Sequence, residues 1–229
     1  MYYRDIVILA NSRKFNGHCI AGKDLRTGEW IRLINNKQEP FTGNDLLFLC
    51  NRDSGPELLE CYTIPFSEKC PEYYQPENER ISGKKWKHLN QYPFEKIGEL
   101  EDSQPYEWLG NRTYDLAEHY DRILPDSIKK QPIRKSLIFH KIGYPSDEAE
   151  VIYFVEKKGF RPSLRFTCGG LRYTLKITDI NIPQDPVVRP VTERMKSAYA
   201  TIGLGQSFEA ANNAHFKLVV GIIRTTEGC

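Results

Sequence analysis

Residues 161–179, RPSLRFTCGGLRYTLKITD, constrain the fold of this chain most strongly because they predict a β-hairpin. Gly169-Gly170 can supply the positive φ angles of a two-residue turn, and the residues on both sides alternate between apolar and polar. The turn fixes the strand register, which predicts two distinct faces. The apolar face holds Leu164, Phe166, Cys168, Leu171, Tyr173 and Leu175, and the basic face holds Arg165, Arg172 and Lys176.

The basic face of this hairpin has two interpretations. Antiparallel strands commonly turn one polar, solvated face outward, which needs no ligand. Small nucleic-acid-binding barrels, in contrast, bind a polyanion on a basic surface of this kind. The hairpin by itself leaves both interpretations open.

The charge of the chain is small overall and unevenly distributed. The 229 residues carry a net charge of +2, which excludes a strongly basic binder, and a hydrophobic content of 40% is enough to bury a core. Residues 93–128 contain nine acidic and three basic side chains, whereas residues 129–176 contain four acidic and eleven basic ones. The second half of the chain therefore carries the positive field that would attract an anionic partner.

Cysteine and histidine spacing predicts neither a metal site nor a cofactor. The six cysteines show no C-x-x-C pair, and the five histidines form no H-E-x-x-H pattern. The N-terminal segment lacks a signal-peptide cleavage pattern, and the longest apolar run near the end, residues 216–223, is too short to span a bilayer. We therefore expect a cytoplasmic protein without a membrane partner.

Hydrophobic periodicity predicts two groups of short strands separated by a mixed segment. Strands are expected at residues 6–10, 19–21, 30–34, 46–49 and 59–64, the last ended by Pro65, and again at 136–142, 150–156, 199–204 and 216–223 in addition to the hairpin. Helices are expected at residues 84–90, 95–100 and 113–124. The fold class is therefore mainly β, with two small barrels at residues 1–92 and 129–229 and an acidic helical connector at residues 93–128.

Two groups of residues outside the hairpin are candidates for binding nucleic acid. The loop at residues 11–17 contains Asn11, Ser12, Arg13 and Lys14, which are residue types that donate to phosphate. Tyr73, Tyr74 and Trp86 lie in a polar, irregular segment and would stack on bases if they are exposed. The alternatives are an ordinary polar turn for the loop and burial in the core for the aromatic residues.

A metal-dependent nuclease is a further alternative. Asp147, Glu156 and Lys158 resemble the acidic and E-x-K elements of such enzymes, in which carboxylates hold Mg²⁺ and the lysine polarises the attack. The surrounding sequence predicts antiparallel strands rather than the helix-flanked mixed sheet of those enzymes, and a solvated hairpin turn explains the same residues. We therefore expect no enzyme activity.

The order of motifs along the chain resembles the prokaryotic dual OB domain family. The opening A-N-S-R-K at residues 10–14, C-I-A-G at 19–22 and W-I-R at 30–32 match, as do the hairpin with I-T-D at 177–179, Phe208 and K-L-V at 217–219. His18 stands where the family pattern has Arg, and Leu33 where it has Pro. The resemblance implies two OB barrels and a non-enzymatic component of bacterial conflict or antiviral systems that contacts nucleic acid.

Together these observations predict a binder of single-stranded or structured DNA or RNA with two OB-like barrels, acting beside an effector protein. A protein-interaction subunit that docks an effector is the main alternative. The residues expected to bind nucleic acid are Asn11, Ser12, Arg13, Lys14, Arg32, Tyr73, Tyr74, Trp86, Arg165, Arg172 and Lys176.

Overall fold

A computed structural model describes residues 1–103, 120–143, 149–156, 159–168, 170–183 and 192–225. Internal contacts divide the chain into two units, Met1–Leu100 and Glu101–Cys229. The first eight residues of the expected connector therefore belong to the first unit, and the remainder belongs to the second. The two units are described separately below.

The first unit is a closed five-stranded barrel. Its strands are β1 (Tyr2–Lys14), β2 (Gly17–Asp24), β3 (Trp30–Ile34), β4 (Glu60–Lys69) and β5 (Asn78–Ile81). They follow the order β1-β2-β3-β5-β4, and pairing of β4 with β1 closes the barrel. β3 and β5 are parallel, whereas the other neighbours are antiparallel. A five-stranded barrel in which β5 lies between β3 and β4 is the architecture expected of an OB domain.

Alternating side chains of these strands fill the barrel. Ile6 and Ile8 of β1, Ile31 and Leu33 of β3, and Tyr62, Ile64 and Phe66 of β4 are all buried in one cluster. The intervening residues point to the outer face, because successive side chains of a strand alternate in direction.

The sequence predicts a strand at residues 46–49. The structure shows instead that these residues are part of the helix α1 (Gly43–Cys50). Thr42 caps the helix through its side chain, which accepts from the Asp45 backbone N–H, while the Asp45 carboxylate accepts from the Thr42 N–H (2.8 Å). This reciprocal arrangement is a capping box. Four apolar residues in succession suit a strand or a buried helical turn equally, and the cap decides between them.

Two further predictions in the first unit are wrong. Residues 84–90 form no helix, because residues 87–91 pair with β4 as the strand β6 (Lys87–Gln91). β4 also does not end before Pro65 but continues through it to Lys69. Pro65 lies opposite Tyr3 and contributes its carbonyl, which accepts from the Ser82 N–H (2.9 Å), so its missing N–H does not break the strand.

The helix expected at 95–100 is observed as a 3₁₀ helix, Phe94–Leu100.

The second unit contains two four-stranded sheets. The first has the order β11-β10-β9-β12, and its strands are β9 (Ala149–Glu156), β10 (Gly159–Cys168), β11 (Leu171–Lys176) and β12 (Thr192–Met195). The second has the order β7-β14-β13-β8, and its strands are β7 (Arg122–Ile123), β8 (Leu137–Ile142), β13 (Ala198–Phe208) and β14 (Ala214–Arg224). The described strands of this unit include a half-barrel sheet, and the mainly β fold with two OB-like units that the sequence predicts is confirmed.

The β10–β11 hairpin has the register that the sequence predicts. Cys168 pairs with Leu171, Phe166 with Tyr173, and Leu164 with Leu175. Phe166 and Tyr173 are fully buried and stack with ring centroids 5.3 Å apart. Gly170 has the expected positive φ of 76°, whereas Gly169 lies outside the described residues.

The residues after β11 join the hairpin to the second sheet. The backbone N–H of Thr178 donates to the Val219 carbonyl (2.8 Å). The buried Asp179 carboxylate accepts from the backbone N–H groups of Ile222 (2.7 Å) and Asn181 (2.8 Å). The I-T-D motif is therefore a structural connection, since its carboxylate satisfies backbone donors of β14 and of its own turn.

The helix expected at residues 113–124 is not observed at its C-terminal end. Residues 113–119 lie outside the described residues, and residues 122–123 form β7, which pairs with β14. Pro125 begins the helix α2 (Pro125–Lys130), at a position where its missing N–H needs no partner.

Candidate nucleic-acid interface

The outer face of the β12-β9-β10-β11 sheet concentrates positive charge. Leu164, Phe166, Tyr173 and Leu175 point inward, so the alternating residues of the same strands point outward. Five cations lie on this outer face, which we call the basic face: Arg161, Arg165, Arg172, Lys176 and Arg194.

Among the described side chains on this face, Glu150 is the carboxylate, and it pairs with cations on one side of the sheet. Its two oxygens lie 3.4 Å from Nη1 of Arg165 and 3.5 Å from Nε of Arg194. On the β11 side, Arg172 and Lys176 are exposed, and no carboxylate of the described residues lies within ion-pairing distance of either. The β11 edge is therefore the part of the face where an external anion meets the least competition.

The surface between these cations includes hydroxyl-bearing and aromatic residues. Arg165 lies opposite Thr174 and Arg172 opposite Thr167, so threonine hydroxyl groups lie beside these charges, whereas Ser163 opposite Lys176 is buried. The Arg161 guanidinium lies 5.3 Å from the centroid of the Phe154 ring. Hydroxyl groups and cations spaced along strands can contact successive phosphates of a nucleic-acid backbone.

The loop candidates of the first unit divide into buried and accessible residues. Asn11 is buried, and its amide donates to the Pro56 carbonyl (2.9 Å) while its oxygen lies 3.0 Å from Nδ1 of His18. Ser12 is also buried, whereas Arg13 and Lys14 lie closer to the tip and are partly exposed. Asn11 and Ser12 are therefore not accessible to a phosphate in this structure, because they are only 1% and 5% exposed.

His18 adds no charge to the tip at neutral pH. Burial, reinforced by the nearby Arg13 guanidinium, lowers the pKa of His18 below its usual value. The cationic character of the tip therefore comes from Arg13 and Lys14.

Arg32 is not on an open surface. Its side chain is buried, with an exposed fraction of 8%, and its Nε donates to Glu77 (3.3 Å). Lys23 and Trp30 on the same outer face are buried as well, and the Lys23 ammonium donates to the Leu100 carbonyl (2.7 Å) at the end of the 3₁₀ helix. OB domains commonly bind their ligands on the face of strands 2 and 3, and here that face is covered.

The three aromatic candidates also differ in exposure. Tyr73 is 48% exposed and contacts Tyr74 edge to face, whereas Tyr74 is buried. Trp86 is buried between Phe41 and Tyr62, with ring centroids 6.4 and 5.8 Å away. Tyr74 and Trp86 therefore fit the alternative interpretation, burial in the core, because a large apolar ring in a polar segment can anchor that segment to the core.

Sequence reasoning missed Arg161 and Arg194 as members of the basic face. Arg161 follows from the same alternation that places Arg165, since the two residues are four apart in one strand. Arg194 could not be found in this way, because its place depends on the pairing of β12 with β9, more than 40 residues earlier in the chain.

The alternative nuclease site cannot be assembled from the described residues. Asp147 and Lys158 lie outside them, and only the backbone of Glu156 is described. Within the described ranges, no three histidine, cysteine or acidic side chains are grouped to hold a metal ion.

Among the residues that the structure describes, no helix is both long and apolar enough to cross a membrane.

The topology and the motifs agree with a comparison against protein families, in which the model of the dual OB-containing domain matches residues 4–222. The chain belongs to the dual OB-containing domain family. No curated protein matches this chain. A murine DNA-binding protein, solved in complex with double-stranded DNA, is similar over 100% of this chain and 99% of its own, with 6% identity and a TM-score of 0.35.

Proposed function

We propose that this protein binds single-stranded nucleic acid, or a structured RNA, through the basic face of its second unit. The observation that carries the proposal is the exposed β11 edge, where Arg172 and Lys176 have no carboxylate partner among the described residues. When lysine and arginine side chains contact phosphates, the counterions condensed on the nucleic acid are released. This release supplies a large share of the affinity of such proteins. The hydroxyl-bearing residues between them add neutral donors to the same backbone.

The tip of the β1–β2 hairpin is a second contact cluster in this proposal. Arg13 and Lys14 are partly exposed there, and residues 11–23 contain no acidic side chain. Tyr73, exposed in the β4–β5 loop, is a base-stacking candidate of the same unit. The β1–β2 and β4–β5 loops are the loops through which OB domains bind oligonucleotides, which supports a role for them even though the neighbouring sheet face is covered.

The cellular role that we propose follows from the family resemblance. The protein would act in the cytoplasm as an accessory or sensor component of a bacterial conflict or antiviral system, without enzyme activity of its own. Binding of nucleic acid would be signalled to an effector protein. Docking of an effector on the same sheet face is the competing function.

The salt dependence of binding tests the proposal. Each phosphate contact to a single strand contributes a slope of about −0.7 to log K against log salt. Replacing Arg172 and Lys176 together with Gln should therefore flatten this slope by about 1.4 for both DNA and RNA strands. The effect should not depend on sequence, because backbone contacts position a strand without reading it.

Lys129→Gln with Lys130→Gln is the matched control, because both lysines are exposed in α2 and the same charge is removed from the same unit. This control should leave the slope nearly unchanged. Equal slopes for wild type and the Arg172/Lys176 variant, with folding intact by circular dichroism, would contradict the proposal and favour the protein-docking function.

A further inference from the structure

Phe15, at the tip of the β1–β2 hairpin, is placed in a way that packing does not explain. It is 87% exposed, the most exposed large hydrophobic residue of the described chain. Its φ is +52°, in the left-handed region. A bulky aromatic residue in this region is a backbone outlier, and the corresponding position of a two-residue hairpin turn is commonly a glycine. The ring is therefore displayed in water on a strained backbone.

The neighbouring residues hold this turn in place. Lys14 pairs with Gly17, which leaves only Phe15 and Asn16 in the loop. His18 and Phe41 exchange two backbone hydrogen bonds of 2.8 and 2.9 Å directly beneath it. A Cβ at Gly17 would lie 2.7 Å from the Phe41 carbonyl oxygen, so the two segments are in close backbone contact. The turn is thus rigidly supported, and Phe15 is presented by a fixed strand pair.

The surroundings of the ring favour an anionic ligand that carries flat apolar groups. Arg13 and Lys14 directly precede Phe15, and the acid-free stretch of residues 11–23 surrounds it. Nucleic acid combines phosphates with unpaired bases that stack on aromatic rings. Strained backbone that persists in a well-supported structure is found disproportionately at such functional contacts.

From these observations we infer that Phe15 stacks on an unpaired base of the bound nucleic acid while Arg13 and Lys14 contact the flanking phosphates. The inference rests on the proposed function and names a specific contact within it. It assigns base contact to the Phe15 ring and backbone contact to Arg13, Lys14 and the basic face, so loss of the ring and loss of the cations should affect binding differently.

Phe15→Gly separates stacking from structure. Glycine adopts a positive φ without strain, so this variant should keep or raise the thermal midpoint of unfolding while it removes the ring. The affinity for a single-stranded oligonucleotide should fall about 5- to 150-fold, which corresponds to the loss of one stacked base. The salt slope should stay unchanged, because no phosphate contact is lost.

Two further variants complete the experiment, with an oligonucleotide that carries the fluorescent base 2-aminopurine as the probe. Phe15→Trp should retain affinity and quench the probe, since tryptophan also stacks. Phe48→Ala is the matched control, because Phe48 is an exposed phenylalanine of the same unit, on α1, and its removal should leave binding unchanged.

The outcomes distinguish this inference from the proposed function. If wild type binds with the expected salt slope and Phe15→Gly binds equally well, the stacking contact is wrong and the proposed function stands. If wild type binds no nucleic acid, the proposed function fails first and this inference with it. A marked loss of thermal stability in Phe15→Gly would assign the ring a structural role and overturn the inference.

Discussion

The outer sheet faces of the two units carry the same kinds of residues in opposite environments. In the first unit, Arg32 is buried and its Nε lies 3.3 Å from the Glu77 carboxylate, and Lys23 donates to a backbone carbonyl. In the second unit, Arg172 and Lys176 are exposed without a carboxylate partner among the described residues. A buried paired cation holds protein segments together, whereas an exposed one is available to a ligand. Counting basic residues cannot distinguish the two.

The first unit also contains partly buried ion pairs. At one end of the first barrel, Arg4 bridges Asp24 and Glu79, with 3.0 Å to each carboxylate. Near β6, Arg52 binds both oxygens of Glu60 (2.6 and 2.9 Å). The barrel is thus closed by charge pairs as well as by apolar packing.

The second unit also buries a lysine, Lys217. The Lys217 ammonium donates to the Tyr120 carbonyl (2.9 Å) and lies 5.6 Å from the centroid of the Tyr173 ring. Burial lowers the pKa of Lys217 to about 7, although the nearby Asp121 acts in the opposite direction. Burial at this position therefore disfavours the charged form of Lys217.

The largest effect tests which face of the hairpin is inside the second unit. Phe166→Ala should lower the free energy of unfolding by about 3–5 kcal/mol, because it removes a fully buried ring that stacks on Tyr173. Thr174→Ala, on the outer face of the same hairpin, should change it by less than about 0.5 kcal/mol. Chemical denaturation measures both. A loss below about 1 kcal/mol for Phe166→Ala would mean that the faces are inverted and that the basic face is buried.

A smaller effect tests the comparison between the two arginines directly. Arg32→Leu should cost about 3 kcal/mol of unfolding free energy, because it leaves the buried Glu77 carboxylate without this partner. Arg172→Leu should change stability by less than about 0.5 kcal/mol while it weakens nucleic-acid binding. Adding Glu77→Leu to Arg32→Leu should recover part of the loss, since two apolar side chains can replace a buried ion pair. Equal stability of the two single variants would remove the distinction between the faces.

The hairpin shows what could be predicted from sequence. Its register and faces follow from the alternation around Gly169-Gly170, and both are local signals. The strand predicted at residues 46–49 failed because a run of four apolar residues has no periodicity, although the Thr42 and Asp45 pair at capping-box spacing could have indicated the helix.

The candidate site was less predictable because exposure depends on the partners that the fold supplies. Trp86 and Tyr73 come from the same irregular segment, yet Trp86 packs between two core rings and Tyr73 is half exposed. Arg32 is covered because Glu77, 45 residues later, comes beside it when β5 pairs in parallel with β3. Such long-range pairings leave no signal in the local pattern of one sequence.

The smallest effect concerns the charge pairs of the first barrel and their response to pH. Burial alone would raise the pKa of Asp24, but the hydrogen bonds from Arg4 and from the backbone N–H groups of Arg26 and Thr27 hold it below its usual value. A carboxyl group whose pKa is lower in the folded state stabilises the fold above its unfolded pKa of about 4. This contribution is lost as the pH falls through the lower, folded pKa.

Asp24→Asn should therefore be less stable than wild type at pH 7, and the difference should shrink as the pH is lowered from 5 to 2, because wild type then becomes uncharged at this position as well. Glu39→Gln, which alters an exposed carboxylate of the same unit, should show little difference at any pH. Urea denaturation at each pH measures the gap. A gap that stays constant down to pH 2 would show that Asp24 acts through the geometry of its hydrogen bonds and not through its charge.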